Sequence, residues 1–262
     1  MRSPSIALAL AAALLAFAVP ARAEVKTQLV EYKQGDTVLE GILAWDTNGP
    51  KTRPGIVVVH DWMGVGPYVK MRAEQLAALG YVAFAADIYG KGVRPKDGKE
   101  AGALAGQYRS GDRALLRARV AAALDTLKKQ PGVDAAKLAA IGYCFGGSTV
   151  LELARMGGDV KGVVSFHGGL GTEHPDASKV KAKVLVLHGA DDPFVPAAEV
   201  AAFEDEMRKA NVDWQLVKYS GAVHAFTQPG AGNDNSKGAA YNEKADKRSF
   251  QAMKDFFAEL FG

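Results

Sequence analysis

The sequence predicts an α/β fold with a mostly parallel central sheet of about eight strands and helices on both faces. Two observations support this. Apolar runs of strand length alternate along the chain with amphipathic segments of helix length. Inner runs such as 56–59 and 184–188 are continuously apolar, which is typical of parallel strands that helices cover on both sides. Ligands of such sheets bind beyond the carboxyl ends of the strands.

The elements are predicted in chain order. A hairpin opens the sheet, because two strand-like segments flank the turn residues Gln34-Gly35-Asp36. The predicted strands cover 28–33, 37–45, 56–59, 81–87, 138–142, 160–166, 184–188 and 214–219. The predicted helices cover 68–79, 113–129, 147–156, 197–210 and 240–260. Two glycine-rich irregular segments, 90–111 and 228–241, are predicted to form the rim of a pocket.

The first residues have the three parts of a secretory signal peptide. Arg2 gives a positive start, residues 6–19 are uninterruptedly apolar, and Pro20-Ala21-Arg22-Ala23 ends in an A-x-A pattern. The apolar run is shorter than the roughly 20 residues that span a bilayer, which disfavours a membrane anchor. We therefore expect residues 1–23 to be removed and 24–262 to form one domain, periplasmic or secreted, monomeric and without membrane attachment.

Charge narrows the class of partner. Without Arg2 and Arg22, 30 basic and 29 acidic side chains remain, a formal charge of +1. Near-neutrality disfavours nucleic acid or an anionic membrane as the partner. A small molecule is therefore the expected ligand.

The only cysteine, Cys144, lies where a predicted strand meets a predicted helix. The segment Gly142-Tyr143-Cys144-Phe145-Gly146 is a G-x-C-x-G pattern, which matches a nucleophile elbow with sulfur in place of a hydroxyl. Its glycines suit a turn too tight for side chains, and a helix N-terminus stabilises a thiolate. The alternative is a buried structural cysteine. A lone thiol in an exported protein is exposed to oxidation and has no partner for a disulfide. A role as a catalytic nucleophile would explain why the chain has it.

A cysteine nucleophile needs a base, and the base needs a group that holds its tautomer. In hydrolases with this elbow, the chain order is nucleophile, acid, histidine. The adjacent Asp191 and Asp192 follow the predicted strand 184–188, and His224 is the only histidine after them. The order therefore predicts a triad of Cys144, one of the two aspartates and His224.

Three motifs in this order, "GYCFGG", "HGADDPFVP" and "HAFTQPG", carry a family resemblance over nearly the whole mature chain. They resemble the dienelactone hydrolase family of the α/β-hydrolase fold. The resemblance implies a triad of Cys144, Asp192 and His224, because the family's acid stands three residues before the valine of the following Val195-Pro196. Asp191 would then be a solvated turn residue, although neighbouring aspartates can exchange roles.

The same resemblance implies an oxyanion hole made by the backbone N–H groups of Trp62 and Phe145. Trp62 follows the predicted strand 56–59, where these hydrolases place the second donor. Asp61 stands where the family usually has glutamate, and its shorter side chain leaves its role open. The implied activity is hydrolysis of a small ester or lactone through an acyl-enzyme.

Four residues are expected to contact substrate: Asp61, Tyr89, Lys91 and Gln228. In relatives that cleave dienelactone, which carries its own carboxylate, arginines stand at the places of Lys91 and Gln228. Lysine lacks the planar fork of arginine, and glutamine lacks its charge. We therefore expect neutral esters and lactones to be preferred, unless Arg94 supplies the missing guanidinium.

The remaining histidines are interpreted as structural. His167 and His188 each end a predicted strand, with His167 alternatively on the pocket floor, and His174 lies in a polar loop. No pair of histidines has metal-ligand spacing, so neither a metal nor an organic cofactor is expected. Two other functions stay open: a general carboxylesterase or thioesterase on the same fold, and a non-catalytic thiol sensor or binding protein.

Overall fold

The computed structural model describes residues 23–173 and 175–262. The predicted signal peptide, apart from Ala23, and His174 lie outside the described residues. Signal cleavage therefore stays a prediction. Within the described ranges, no helix has the length and apolarity needed to cross a bilayer.

A single sheet of eight strands organises the described chain. Its strands run in the spatial order β1-β2-β4-β3-β5-β6-β7-β8, antiparallel at β1/β2 and β2/β4 and parallel elsewhere. The strands are β1 (Val25–Gln34), β2 (Thr37–Asp46), β3 (Arg53–Val59), β4 (Val82–Ala86), β5 (Val133–Tyr143), β6 (Gly162–Phe166), β7 (Lys183–Gly189) and β8 (Trp214–Tyr219).

Within the described part of the chain, six α-helices cover the two faces of this sheet. The helices are α1 (Pro67–Ala78), α2 (Gly98–Arg109), α3 (Ala114–Lys128), α4 (Phe145–Arg155), α5 (Ala197–Lys209) and α6 (Glu243–Phe261). Buried apolar residues of α1 and α6 pack on one face, and those of α2, α3, α4 and α5 pack on the other. The expected α/β-hydrolase architecture is confirmed, including its antiparallel entry hairpin.

Helix α2 is the main difference from the predicted elements, because it lies inside a segment expected to be an irregular rim. Its sequence is rich in alanine and glycine, and only Ala101, Ala105 and Tyr108 are buried, so its apolar periodicity is weak. A start signal was present: the Asp97 side chain accepts a hydrogen bond from the N–H of Glu100 at 2.9 Å, an N-cap followed three residues later by glutamate.

Buried ion pairs anchor α4, the helix that follows Cys144. Glu152 is fully buried and is paired with Arg155, Arg113 and Arg117. Burial raises the pKa of Glu152, but the three guanidinium groups outweigh burial and hold this pKa below its usual value. Arg155 also pairs with Glu206 of α5 at 2.7 Å. The position of α4 relative to its neighbours is thereby fixed.

Candidate active site

Cys144 is the single residue between β5 and α4, and its backbone is strained. Its φ is +55° and its ψ is −111°, a conformation that non-glycine residues rarely adopt. A Cβ on Gly142 would lie 2.0 Å from the Gly146 carbonyl oxygen, and one on Gly146 would lie 2.3 Å from the Val59 oxygen. Both glycines are therefore required, as the elbow pattern predicts.

Loops at the carboxyl edge of the sheet bring three predicted residues into one hydrogen-bonded line. The His224 Nε2 lies 3.0 Å from the Cys144 Sγ, and the His224 Nδ1 lies 2.8 Å from the Asp192 Oδ2. The second carboxylate oxygen of Asp192 accepts the Phe194 N–H at 2.9 Å. These contacts hold the imidazole between a carboxylate and the thiol, the geometry that proton transfer from sulfur requires.

The two neighbouring aspartates have different surroundings. Asp192 is buried against His224, whereas Asp191 is exposed and accepts the Gly221 N–H at 2.9 Å. Asp191 thus holds the turn before His224, and the imidazole bonds Asp192 instead. The geometry favours Asp192 as the orienting acid.

The electrostatics of the site favour a charged imidazole. Burial lowers the pKa of His224, but the Cys144 sulfur and the Asp192 carboxylate outweigh burial and raise the pKa to about 10. The group is therefore stabilised as an imidazolium next to sulfur. The Phe194 ring stands edge-on to the imidazole at 5.5 Å and is 59% exposed, so it forms one wall of the entrance.

The loop after β3 carries Trp62, a predicted oxyanion donor. The Tyr89 hydroxyl donates to the Trp62 carbonyl at 3.1 Å, and the Asp61 carboxylate accepts the Met63 N–H at 2.7 Å. Gln228, from the loop that follows His224, donates its side-chain N–H to Asp61 at 2.7 Å. Three residues expected to contact substrate therefore brace this loop.

Phe145, the other predicted oxyanion donor, is the first residue of α4. Its N–H is one of the helix N-terminal groups that have no intrahelical acceptor. Its side chain is fully buried and packs against the rings of His60 and Tyr89 at 5.7 and 5.2 Å. The oxyanion role of the two N–H groups stays a prediction.

Lys91 lies apart from these contacts. Its ammonium forms ion pairs with Glu31 and Glu40 on the entry hairpin, the second at 3.4 Å. The predicted substrate role of Lys91 stays a prediction. Arg94 lines a cavity of about 420 Å³ beside Asp61, where it donates to the Val65 carbonyl at 2.5 Å.

Thr227 and Tyr68 were missed by the sequence reasoning. The Thr227 hydroxyl lies 2.6 Å from the Tyr68 hydroxyl and 2.7 Å from the His167 Nε2. Thr227 stands three residues after His224 in the third motif, and this nearness was the only signal in the sequence. Among residues 23–173 and 175–262, no group of three or more His, Cys, Asp or Glu side chains is arranged to hold a metal ion.

Comparisons with known proteins identify the family of the chain. The family model described as "Dienelactone hydrolase family" matches residues 39–261. A dienelactone hydrolase-like promiscuous phosphotriesterase from metagenomic libraries is 44% identical, covers 91% of this chain and 99% of its own, and superposes with a TM-score of 0.86.

Two further relatives extend the comparison. An uncharacterized protein of Caenorhabditis elegans is 37% identical over 153 residues, which are 56% of this chain and 94% of that protein. A dienelactone hydrolase of Anabaena variabilis is 24% identical, covers 88% of this chain and 98% of its own, and has a TM-score of 0.60, which supports the fold alone. The chain belongs to the dienelactone hydrolase family, and it is a hydrolase that acts on carboxylic ester bonds.

Proposed function

We propose that this chain is an exported cysteine hydrolase that cleaves small, neutral esters or lactones through a thioester at Cys144. The observation that carries the proposal is the unbroken line from Asp192 through His224 to the Cys144 sulfur, with contacts of 2.8 and 3.0 Å. The strained turn at Cys144 supports it, because such strain clusters at functional sites.

In the first half-reaction, the Cys144 sulfur attacks the ester carbonyl carbon and a C–S bond forms. The oxyanion accepts hydrogen bonds from the Trp62 and Phe145 N–H groups, each worth about 3 kcal/mol of barrier. The tetrahedral intermediate then expels the alkoxide, which takes the proton from the His224 Nε2. An alcohol leaves, or the open hydroxyl end of a lactone, and the acyl group remains on sulfur.

In the second half-reaction, water attacks the thioester carbonyl and gives its proton to the His224 Nε2. Asp192 accepts the Nδ1 hydrogen bond throughout, so the imidazole keeps the tautomer that both steps require. The C–S bond breaks, the carboxylic acid is released and the Cys144–His224 pair is restored.

The test of this mechanism combines kinetics with mass spectrometry. We expect Cys144→Ala to abolish hydrolysis of a chromogenic short-chain ester while keeping the fold, and iodoacetamide to alkylate wild-type Cys144 with loss of activity. A rapid acid quench should trap an adduct of acyl mass on Cys144. Normal turnover by Cys144→Ala would overturn the covalent mechanism and would favour a thiol sensor or binding protein.

The proposed preference for neutral substrates rests on the contacts of Gln228 and Lys91 with acidic side chains of this chain. Gln228 donates to Asp61, and Lys91 is paired with Glu31 and Glu40, so neither is free to grip a substrate carboxylate. Loss of a buried charged hydrogen bond costs roughly 1.5 to 3 kcal/mol, about ten- to a hundredfold in affinity. We expect the methyl ester of dienelactone to have a higher kcat/KM than dienelactone itself. A tenfold preference for the free carboxylate would refute this, and Arg94→Ala would then identify the group responsible.

A second candidate activity is the hydrolysis of neutral phosphotriesters. It is favoured by the 44% identity to the promiscuous phosphotriesterase over nearly the full length of both chains. Sulfur would attack phosphorus and displace an aryloxide, and His224 would then activate water against the P–S bond. Release of p-nitrophenol from a diethyl p-nitrophenyl phosphate tests it, and a Cys144→Ala variant of equal activity would place that reaction elsewhere.

Export is the remaining part of the proposal. It is supported by the signal-like residues 1–23 and by Glu24, whose N–H donates to the Asp46 carboxylate at 2.8 Å directly before β1. The domain would thus begin at the expected cleavage point. Intact-mass measurement of periplasmic or secreted protein should give a chain that starts at Glu24. A mass that retains residues 1–23 would contradict export.

A further inference from the structure

His167 is a fully buried histidine at the end of β6, beside the proposed catalytic residues. Its φ is +40°, another strained backbone position in the same region. Its ring stands edge-on to that of His224, with 5.3 Å between the ring centroids. Burial of a polar ring and a positive φ each destabilise the folded state. His167 nevertheless contributes no group to the proposed reaction steps.

Both ring nitrogens of His167 are hydrogen-bonded, and each contact reaches a different part of the site. The Nδ1 lies 3.1 Å from the backbone nitrogen of Cys144, and the Nε2 lies 2.7 Å from the Thr227 hydroxyl. Thr227 belongs to the loop that begins at His224. The imidazole therefore bridges the turn that carries the sulfur and the loop that carries the proposed base.

These partners fix the protonation of His167. The Cys144 N–H donates to both the Phe166 carbonyl at 3.0 Å and the His167 Nδ1 at 3.1 Å. Because an N–H cannot accept, Nδ1 accepts and the ring proton lies on Nε2, which donates to Thr227. Burial, followed by the nearby His224 and Arg72, lowers the pKa of His167 well below its usual value and keeps the ring neutral. A charged ring would lose its acceptor and would repel the His224 imidazolium.

The bridge continues to the outer helices. The Tyr68 hydroxyl of α1 lies 2.6 Å from the Thr227 hydroxyl, and Arg72 donates to Tyr68 at 3.2 Å and to the Thr227 carbonyl at 2.7 Å. Arg72 is in turn paired with Asp246 of α6 at 2.6 Å. Thr227 is therefore held on both sides, so its hydroxyl is a fixed partner for the imidazole.

We propose that His167 is a positioning residue that sets the distance between the Cys144 sulfur and the His224 imidazole by bridging their two loops. The inference rests on the proposed function. The acceptor at Nδ1 shares the N–H of the strained Cys144 with the Phe166 carbonyl, and the donor at Nε2 contacts the loop that carries the base. Loss of either contact weakens the link between the two loops, and a displacement of about 1 Å at such a contact can cost a hundredfold in rate.

Two substitutions at His167 separate these roles. His167→Phe keeps the ring shape but removes both contacts, so we expect kcat to fall ten- to a hundredfold with KM within threefold. His167→Asn tolerates positive φ, and its Oδ1 occupies the place of Nδ1, so it retains the acceptor for the Cys144 N–H. We expect His167→Asn, which keeps the contact with Cys144 but lacks the one with Thr227, to restore part of the kcat that the phenylalanine variant loses, to about the level of Thr227→Val.

Thr227→Val tests the other end of the bridge if His167→Phe does not fold. It removes the acceptor for Nε2 without changing volume, and we expect kcat to fall about three- to tenfold with KM unchanged. His188→Phe is the matched control, because His188 is also a buried histidine near the end of a strand, and its Nδ1 has no hydrogen-bond partner among the described residues. We expect that control to keep kcat within about twofold.

Rates of iodoacetamide alkylation at Cys144 are measured on the same variants, with melting temperatures to verify folding. Folded His167→Phe or Thr227→Val with wild-type kcat would overturn the inference, as would an asparagine variant no better than the phenylalanine variant. Failure of the proposed function gives a different result: wild-type Cys144 would not be acylated, and Cys144→Ala would remain active whatever His167 does.

Discussion

Replacing Asp192 with asparagine changes one terminal atom at the point where the carboxylate meets His224. One carboxylate oxygen accepts the Phe194 N–H at 2.9 Å, and the other accepts the His224 Nδ1–H at 2.8 Å. In Asp192→Asn the amide oxygen must accept the Phe194 N–H. In the flipped orientation the amide NH₂ would face that N–H, and both donors would be unsatisfied. With the oxygen on the Phe194 N–H, the new NH₂ group faces Nδ1, which must accept, and the ring proton moves to Nε2.

The magnitude follows from two losses. The buried charged hydrogen bond is worth roughly 1.5 to 3 kcal/mol, about ten- to 150-fold in rate. The reversed tautomer adds to this, because a protonated Nε2 cannot take a proton from the Cys144 thiol. Such tautomer reversal has a combined effect of about 10³- to 10⁴-fold on kcat, or about 4 to 5.5 kcal/mol.

Asp191→Asn is the matched control, since Asp191 is exposed and its contact with the Gly221 N–H can be made by an amide oxygen. Its kcat/KM on a chromogenic ester should stay within about threefold of wild type. Melting curves establish that both variants are folded, and iodoacetamide labelling of Cys144 should slow only in Asp192→Asn. A large loss in Asp191→Asn with near-normal Asp192→Asn would refute the assignment of the acid.

Three further perturbations have expected outcomes. Gln228→Leu removes the hydrogen bond to Asp61 that braces the Trp62 loop, so kcat should fall several-fold with little change in KM; an unchanged kcat would mean that the loop holds its position without it. Gly146→Ala places a methyl group 2.3 Å from a backbone oxygen and should lower the melting temperature sharply. The control is Gly106→Ala, whose added Cβ would have no described atom within 4 Å. It should be neutral or should stabilise the fold by about 0.5 to 1 kcal/mol. Burial lowers the pKa of His60, so the native state binds fewer protons than the unfolded chain, and stability should fall as pH drops below about 6.5, by up to about 1.4 kcal/mol per pH unit for each such histidine. Urea unfolding between pH 5 and 6.5 measures this, below the range in which the raised pKa of His224 acts in the opposite sense, and stability that rises on acidification there would contradict it.

The order of chemical groups along the chain was enough to predict the fold and the residues that meet at the site. Continuous apolar runs are buried on both sides in any parallel sheet, and the carboxyl ends of neighbouring strands lie at one edge. Cys144 and His224 were therefore expected to meet, although they are 80 residues apart, and their atoms lie 3.0 Å from one another. The choice between the aspartates needed the resemblance, because their spacing from the histidine is nearly equal.

Helix α2 was missed because little of it is buried. Prediction from periodicity depends on a wide apolar stripe, and α2 buries two alanines and a tyrosine. Its Gly98 and Gly102 lie beside the Trp62 ring, which is 3.4 Å from the place of a Cβ on Gly98, an ordinary packing distance. Packing against the loop after β3 therefore helps to stabilise α2. This contact cannot be predicted from the sequence of α2 itself.

The sequence by itself determined the alternation of strands and helices, the elbow glycines and the nature of the reactive groups, because these depend on local sterics and on residue type. Only the tertiary structure decided which polar side chains are hydrogen-bonded or ion-paired to one another. Gln228 reaches Asp61 across 167 positions, Lys91 reaches Glu31 across 60, and His167 joins Cys144 to Thr227. Hydrogen bonds between loops depend on distances of a few tenths of an ångström, and those distances are set by how the helices pack on the sheet.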